Sequence, residues 1–206
     1  VPRGTRPMEF AHPPADPVPL CEQWFAEAWD RSGLPNPNAM MLATVSSKGI
    51  PSARTVLLKG FDSRGAVFYT NSESRKGTEL LESRRAALLF HWDAMGRQIR
   101  IEGEVARVSD EESDAYFASR RRESRLGAWA SQQSRPCASR AELESAYRDQ
   151  EQRFEGEDVS RPPHWFGFRV ALEHLEFWED GDARLHDRVV YDRQPDGSWS
   201  VQRLWP

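Results

Sequence analysis

The hydrophobic pattern of this chain begins with one amphipathic helix and then changes to strand periodicity. Asp16 and Pro17 suit a helix start, because Asp caps free backbone N–H groups and Pro fits the first helical position. Apolar residues then recur at helical spacing from Leu20 to Ala28, and Ser32-Gly33 is a stop signal. The pattern predicts a helix from about residue 17 to residue 32.

Short apolar and β-branched runs follow, separated by turn signals. Glycine-containing turns at 47–49 and 62–65 separate the first three runs and predict antiparallel pairing. Strands are predicted at 40–46, 53–59, 66–70, 86–92, 98–108, 165–171, 175–179 and 184–191, with a last strand that ends at 204. Helices are predicted at 75–83, 110–119, 124–131 and 138–154. This order indicates a mainly β fold, an antiparallel barrel with peripheral helices.

Composition narrows the possible classes of protein. A chain of 206 residues with eight Trp and ten Phe can build one core, so we expect one domain over 14–206. Residues 1–13 are interpreted as a tag remnant and a short lead. The net charge of −4 gives no case for nucleic-acid binding. Neither Cys has metal-ligand spacing, and no signal peptide or membrane span is evident, so we expect a cytoplasmic protein without metal.

One segment near the C-terminus concentrates candidate chemistry. Arg184, His186 and Arg188 alternate with Leu185 and Asp187, so on a strand the three potential cations share one face. Such a face suits an anionic ligand. The alternative is a solvated edge strand that carries charges.

A second cationic segment suggests a phosphate site. Arg54 and Lys59 bracket an apolar strand, and Ser74-Arg75-Lys76-Gly77 lies at a predicted helix start. Hydroxyl groups, a helix N-terminus and cations together favour phosphate. The alternative is that Arg75 and Lys76 are ordinary surface charges.

A third segment offers groups for another phosphate. Tyr116, Arg120 and Ser124 are spaced by four and share one face if the helix continues, although they could equally form a solvated face. No nucleophile elbow or identifiable acid–base pair occurs, so we expect an organic cofactor to carry the chemistry.

Taken together, these segments resemble the pyridoxine/pyridoxamine 5′-phosphate oxidase family over about residues 14–206. The segments that carry the resemblance are 54–59, 68–71, 74–77, 97–98, 127–134, 176–178 and 184–188. The resemblance implies an FMN-binding split β-barrel that works as a homodimer, with FMN at the subunit interface.

The resemblance also implies roles for individual residues. Those implied to bind FMN are Arg54, Thr55, Val56, Leu57, Lys59, Tyr69, Thr70, Arg75, Lys76 and Gln98, with Gln133, Ser134, Trp178 and Arg188 from the second subunit. Those implied to hold the substrate phosphate are Lys59, Tyr116, Arg120 and Ser124. Arg184 and His186 are implied to contact the pyridine ring and to be catalytic.

The implied reaction is oxidation of pyridoxine or pyridoxamine 5′-phosphate to pyridoxal 5′-phosphate, with O₂ as acceptor and H₂O₂ as product. The chain departs from the family pattern at Glu179, where Gln is usual, at Phe166 and Arg121, and in a lead that lacks Tyr. The short lead keeps open a related flavin oxidase of phenazine biosynthesis that acts on a dihydrophenazine carboxylate. A non-catalytic protein that binds flavin or pyridoxal phosphate is a third reading.

Overall fold

The computed structural model describes residues 12–206, so the predicted tag remnant lies almost entirely outside the described residues. Helix α1 spans Val18–Arg31, and Asp16 Oδ1 accepts a hydrogen bond from the Val18 backbone N–H at 3.0 Å. Pro17 is the N-cap residue instead of the first helical residue. The helix therefore begins and ends within about one residue of its prediction.

Within residues 12–206, ten strands form one antiparallel sheet that curls into a half-barrel, so the predicted fold class is confirmed. The strands are β1 (Ala39–Val45), β2 (Pro51–Leu57), β3 (Gly60–Asp62), β4 (Gly65–Asn71), β5 (Arg85–Trp92), β6 (Arg97–Arg107), β7 (Trp165–Val170), β8 (His174–Glu179), β9 (Asp187–Arg193) and β10 (Trp199–Arg203). The main path runs β10-β9-β8-β6-β5-β1-β2, and β7 connects β6 to β4. The remaining helices are α2 (Arg75–Ser83), α3 (Asp110–Ala118), α4 (Arg122–Ala130) and α5 (Arg140–Arg153).

Strand β6 changes partner along its length and so lets the sheet fold back on itself. Residues 97–102 pair with β8, and residues 105–107 pair with β7. Gly103 lies at the change, where a Cβ atom would stand 2.0 Å from the carbonyl oxygen of Ala171. Only glycine allows the two backbones to approach this closely.

Two local predictions were wrong. Strand β4 pairs with the short β3 and with β7 instead of with β2. Residues 184–186 lie in a loop that includes a 3-10 turn at Asp182–Arg184, and β9 begins only at Asp187. Ala183 and Arg184 have φ values of 55° and 63°, which a strand excludes, so Arg184, His186 and Arg188 do not share a strand face. Helices α3 and α4 are separate, as predicted, so the condition under which Tyr116, Arg120 and Ser124 would share one helix face is not met.

The core has two parts. Helix α1 closes one end of the half-barrel, where Trp24 meets Phe177 edge-on with ring centroids 5.3 Å apart. A smaller aromatic cluster around Phe117 and Trp165 packs α3 and α4 against β7. This second cluster forms one wall of the site described below. Within residues 12–206, no helix is long and apolar enough to cross a membrane.

Candidate functional site

A large cavity, ≈ 660 Å³, lies between strands β2 and β4 and the helices that pack beside them. It brings together residues that are far apart in the sequence. Its lining residues from the predicted set are Thr55, Val56, Leu57, Lys59, Tyr69, Thr70, Lys76, Tyr116, Arg120, Ser124 and Gln133. The structure thus joins the second and third cationic segments in one place, even though Tyr116, Arg120 and Ser124 do not lie on one continuous helix.

The charge of this cavity is opposite to that of the whole chain. Lys59, Lys76, Arg120 and Arg121 line it, and no Asp or Glu is among its described lining residues. The chain has a net charge of −4, so the positive charge of this lining is a local feature. A cavity with this lining attracts anions and has no built-in counter-ion.

One of these cations, Arg120, is only partly compensated by its neighbours. Its guanidinium lies 4.6 Å from the centroid of the Trp165 ring, and its buried Nη1 has no hydrogen-bond partner among the described residues. Burial lowers the pKa of Arg120. Buried donors are nearly always satisfied, so Arg120 is incompletely compensated by the protein around it.

Stacked aromatic rings hold this wall in place. Tyr69 stacks on Tyr116 with centroids 4.1 Å apart, and on Trp165 at 5.5 Å. Lys59 Nζ lies 5.9 Å from the centroid of the Tyr116 ring. The rings fix the directions of the polar groups at the edge of the cavity.

Lys76 presents its ammonium group from the first turn of α2. Ser74 caps this helix, because its Oγ accepts a hydrogen bond from the Gly77 backbone N–H. Lys76 Nζ donates to Gln133 Oε1 at 3.1 Å and to Thr70 Oγ1 at 3.3 Å. Burial is the main cause that lowers the pKa of Lys76. Gln133, which was expected from a second subunit, reaches this cavity from its own chain.

Arg54 and Arg75 are not among the lining residues of the large cavity. Arg54 donates to Ser52 Oγ at 2.5 Å and approaches Glu79 Oε2 at 3.3 Å. Arg75 and Ser134 instead line a neighbouring cavity of ≈ 300 Å³, and Gln133 lines both cavities. Two of the predicted cofactor residues therefore lie directly beside the main group, and Arg54 is engaged inside the protein.

A separate row of predicted residues crosses the sheet. Gln98 pairs with Trp178 across β6 and β8, and Trp178 pairs with Arg188 across β8 and β9. Paired positions share a face, so the three side chains line one depression of ≈ 280 Å³. Gln98 was grouped with the first set in the sequence, but the structure places it here. Buried Glu176 accepts from Arg188 Nε at 2.6 Å, and this bond raises the pKa of Arg188.

The unusual Glu179 is accommodated beside this row. Arg97 Nε donates to Glu179 Oε1 at 2.7 Å, and Arg97 Nη1 donates to Glu27 Oε2 of α1 at 2.6 Å. The extra carboxylate is thus paired inside the fold.

His186 lies next to the row, and Arg184 belongs to the same loop. The rings of His186 and Trp178 are 4.7 Å apart, and the backbone N–H of Gly181 donates to His186 Nδ1 at 3.2 Å. His186 lines a third cavity of ≈ 410 Å³ with Leu185 and residues 203–206. No described residue lines both this cavity and the large one. Within one chain the predicted site residues therefore form two groups.

Sequence reasoning missed several members of the site. Asn71, Arg121, Gly127, Ala128, Ser131 and Trp165 line the large cavity, and Glu79 bonds to both Arg54 and Arg75. The spacing of four between Arg75 and Glu79 on a helix was a readable signal for the last of these.

The fold and the cationic cavity define a flavin-binding split-barrel protein. Residues 27–153 match the family model described as pyridoxamine 5′-phosphate oxidase, and residues 165–206 match the C-terminal dimerisation region of pyridoxine 5′-phosphate oxidase. The chain belongs to the pyridoxamine 5′-phosphate oxidase family, a family of flavin-dependent oxidoreductases.

Relatives and solved structures agree with this assignment. A pyridoxine/pyridoxamine 5′-phosphate oxidase of Rubrobacter xylanophilus is 56% identical over 93% of this chain and 88% of its own length. The Cupriavidus metallidurans protein of the same name is 54% identical over 93% of this chain and 89% of its own. The structure of PhzG from Burkholderia lata 383, in complex with tetrahydrophenazine-1-carboxylic acid, has a TM-score of 0.91 and 32% identity over 98% of both chains. An FMN-binding protein of Nostoc punctiforme, at TM-score 0.77 and 17% identity, shares the fold.

Proposed function

We propose that this protein is an FMN-dependent oxidase that converts pyridoxine or pyridoxamine 5′-phosphate to pyridoxal 5′-phosphate, with O₂ as acceptor. The observation that carries the proposal is the cavity lined by four cations, with no Asp or Glu among its described lining residues. A cofactor and a substrate that each bear a phosphate match this lining. The name shared by relatives at more than 50% identity supports the same activity.

Two sections of the lining suit the two phosphates. Lys76, Thr70 and Gln133 form one hydrogen-bonded group at the start of α2, with Arg75 and Ser134 next to it. This group would hold the FMN phosphate, and Thr55, Val56, Leu57 and Tyr69 would line the rest of the cofactor site. Arg54 would act from behind the cavity wall, through its bonds inside the protein.

The second section would hold the substrate phosphate. Arg120 is fixed against Trp165, and Lys59 lies against Tyr116. Ser124 adds a hydroxyl group at the same cavity. Two cations, a phenol and a hydroxyl supply enough donors for a phosphate dianion.

The remaining predicted residues would come from a partner subunit. Trp178, Arg184, His186 and Arg188 all lie in the matched dimerisation region, and Gln98 lies in register with them. In a homodimer this second group would meet the large cavity of the other chain. This arrangement explains why one chain alone holds two separate groups.

The chemistry requires loss of a hydride from the substrate carbon that becomes the aldehyde. The electron acceptor in this site would be FMN, with O₂ as the final acceptor. The alcohol yields aldehyde and H₂O₂, whereas the amine also takes up one H₂O and releases NH₃. Arg184 would orient the ring and balance negative charge. His186, whose ring lies 4.7 Å from that of Trp178, would contact the substrate ring.

A phenazine-type oxidase is the second candidate, favoured by the high structural similarity to PhzG. A tricyclic carboxylate bears no phosphate, so it would leave part of the set of Lys59, Tyr116, Arg120 and Ser124 without a role. The vitamin B6 substrate uses all four residues.

Anaerobic mixing with each substrate tests the proposal. The protein is loaded with FMN and mixed with pyridoxine 5′-phosphate or with pyridoxamine 5′-phosphate, and the flavin absorbance is followed. We expect the flavin to bleach, and pyridoxal 5′-phosphate and H₂O₂ to form when air is readmitted. A flavin that stays oxidised with both compounds refutes the proposal. Bleaching by a dihydrophenazine carboxylate would then support the second candidate, and no bleaching with any substrate would support a binding protein.

A further inference from the structure

Glu79 is a buried carboxylate behind the cofactor site that the proposed reaction does not use. It lies on α2, and its residue is only 4% exposed. Its Oε2 accepts from the hydroxyl groups of Thr44 and Ser52, and Arg54 Nη2 lies 3.3 Å away. Its Oε1 accepts from Arg75 Nε at 2.9 Å. Each carboxylate oxygen therefore faces a different arginine.

The network keeps Glu79 charged. Burial alone would raise the pKa of a carboxyl group, but bonds from Thr44, Ser52 and Arg75 lower that of Glu79 to about 2. A buried ion without partners costs far more than a paired one, so this carboxylate depends on its donors. Both its position and its charge are fixed.

Arg75 is the exposed end of the network. Its side chain is 59% exposed, and the only hydrogen bond found for it in the described residues is the one from Nε to Glu79. Both terminal nitrogens of its guanidinium therefore remain available. Arg75 lines the cavity that also contains Ser134, and Gln133 connects that cavity with Lys76 in the larger one.

We propose that Glu79 is a positioning residue for the cofactor phosphate. Its carboxylate binds Nε of Arg75 and so orients the two terminal nitrogens of Arg75 toward the phosphate. The inference rests on the proposed function and names a residue that acts on FMN only through Arg75. A flexible arginine loses rotamer entropy when it binds an anion, and an anchored one loses less. Arg54 serves as the internal counter-ion that keeps the carboxylate in place.

The test compares two flavins that differ only in the phosphate. Dissociation constants of FMN and of riboflavin are measured by quenching of flavin fluorescence for the wild-type protein, Glu79→Ala, Glu79→Gln and Glu82→Ala. Glu82 lines the same cavity as Arg75 but is exposed, so its loss removes a nearby negative charge without removing the anchor. Thermal unfolding of each variant reports on folding independently.

We expect Glu79→Ala to weaken FMN binding about tenfold, which is ~1.4 kcal/mol, and to leave riboflavin binding within about twofold. Glu79→Gln keeps an oxygen for Arg75 Nε and should retain most of the preference for FMN. Glu82→Ala should bind FMN at least as tightly as the wild-type protein, because it removes a nearby negative charge and keeps the anchor of Arg75. In an Arg75→Ala background, Glu79→Ala should have no further effect on FMN binding.

Three results overturn the positioning role. They are an equal loss of FMN and riboflavin binding in Glu79→Ala, an unchanged or tighter affinity for FMN, and an undiminished effect of Glu79→Ala in the Arg75→Ala background. If Glu79→Ala fails to fold, Glu79→Gln replaces it in the double-mutant cycle with Arg75→Ala. A Glu79→Gln variant that loses affinity equally for FMN and riboflavin then overturns the role. A wild-type protein without preference for FMN over riboflavin refutes the cofactor assignment itself, which separates that failure from a failure of this inference.

Discussion

Arg120 allows a prediction in which stability and activity change in opposite directions. Its Nη1 is buried without a partner, and its guanidinium packs on Trp165. An unsatisfied buried donor costs ~1–3 kcal/mol, and a cation–π contact returns ~0.5–1 kcal/mol. Arg120 is only half-buried, so the net cost lies at the low end, about 1 kcal/mol. Arg120→Met keeps the length of the stem and removes this cost.

We expect Arg120→Met to raise the free energy of unfolding by about 1 kcal/mol and Tm by ~2–4 °C. The same variant should lose kcat/KM for pyridoxine 5′-phosphate by ~10–100-fold, because a charge-assisted hydrogen bond to phosphate contributes ~1.5–3 kcal/mol. The loss should appear mainly in KM, since the phosphate is bound equally before and during hydride transfer.

Arg122→Met is the matched control. Arg122 donates to the carbonyl oxygens of Phe154 at 2.6 Å and Glu157 at 2.8 Å, so its guanidinium is satisfied inside the protein. We expect this variant to lower Tm and to leave KM unchanged. Thermal unfolding without ligand and steady-state kinetics at saturating FMN measure both effects. If Arg120→Met lowers Tm as Arg122→Met does, or leaves kcat/KM within about threefold, the reasoning is refuted.

Three further predictions concern the fold. Glu79 has a pKa of about 2 against an ordinary 4.5, so it stabilises the protein above pH ~4.5 by up to ~3 kcal/mol, and this contribution is lost as the pH falls toward 2. In denaturant titrations, the free energy of unfolding of Glu79→Gln should therefore depend less on pH between 4.5 and 2 than that of the wild-type protein. An unchanged pH dependence would contradict the assignment. Gly103→Ala should destabilise the protein by more than ~3 kcal/mol or prevent folding, because the added Cβ would lie 2.0 Å from the carbonyl oxygen of Ala171. A soluble variant with the wild-type Tm would show that the two backbones do not approach so closely. Trp92→Phe should lower the free energy of unfolding by ~1–3 kcal/mol, because the buried indole N–H donates to the Pro37 oxygen at 2.8 Å and the substitution leaves that oxygen unpaired. Equilibrium unfolding measures this change, and an unchanged free energy of unfolding would mean that water replaces the bond.

Local patterning predicted most elements because each has a local physical cause. Helix α2 was predicted at 75–83 and spans Arg75–Ser83, since Ser74 caps it and its turns need no distant partner. The strands from β5 to β8 were placed within about one residue for a similar reason, since apolar runs end where turn residues begin. The errors fall at β3 and at residues 184–186, where the path of the chain depends on which strands pair.

The same distinction between local and long-range causes applies to the candidate site. The residue types that can hold phosphate were readable in the sequence, because Arg, Lys, Ser and Tyr cluster in segments 54–59, 74–77 and 116–124. Which of them face one cavity was not readable, since this depends on contacts between segments that lie far apart along the chain. Gln98 illustrates the point, because its register with Trp178 across β6 and β8 moved it to the second group.

By itself, the sequence determined the mainly β class, the family and the kinds of charged groups available, since these follow from local periodicity and from motifs at short spacing. Only the tertiary structure decided that four cations share a cavity without a described carboxylate, that Arg54 faces Glu79 and that the predicted site residues form two groups within one chain. Burial and pairing arise only when distant strands meet, and these determine the electrostatic environment of each charged group.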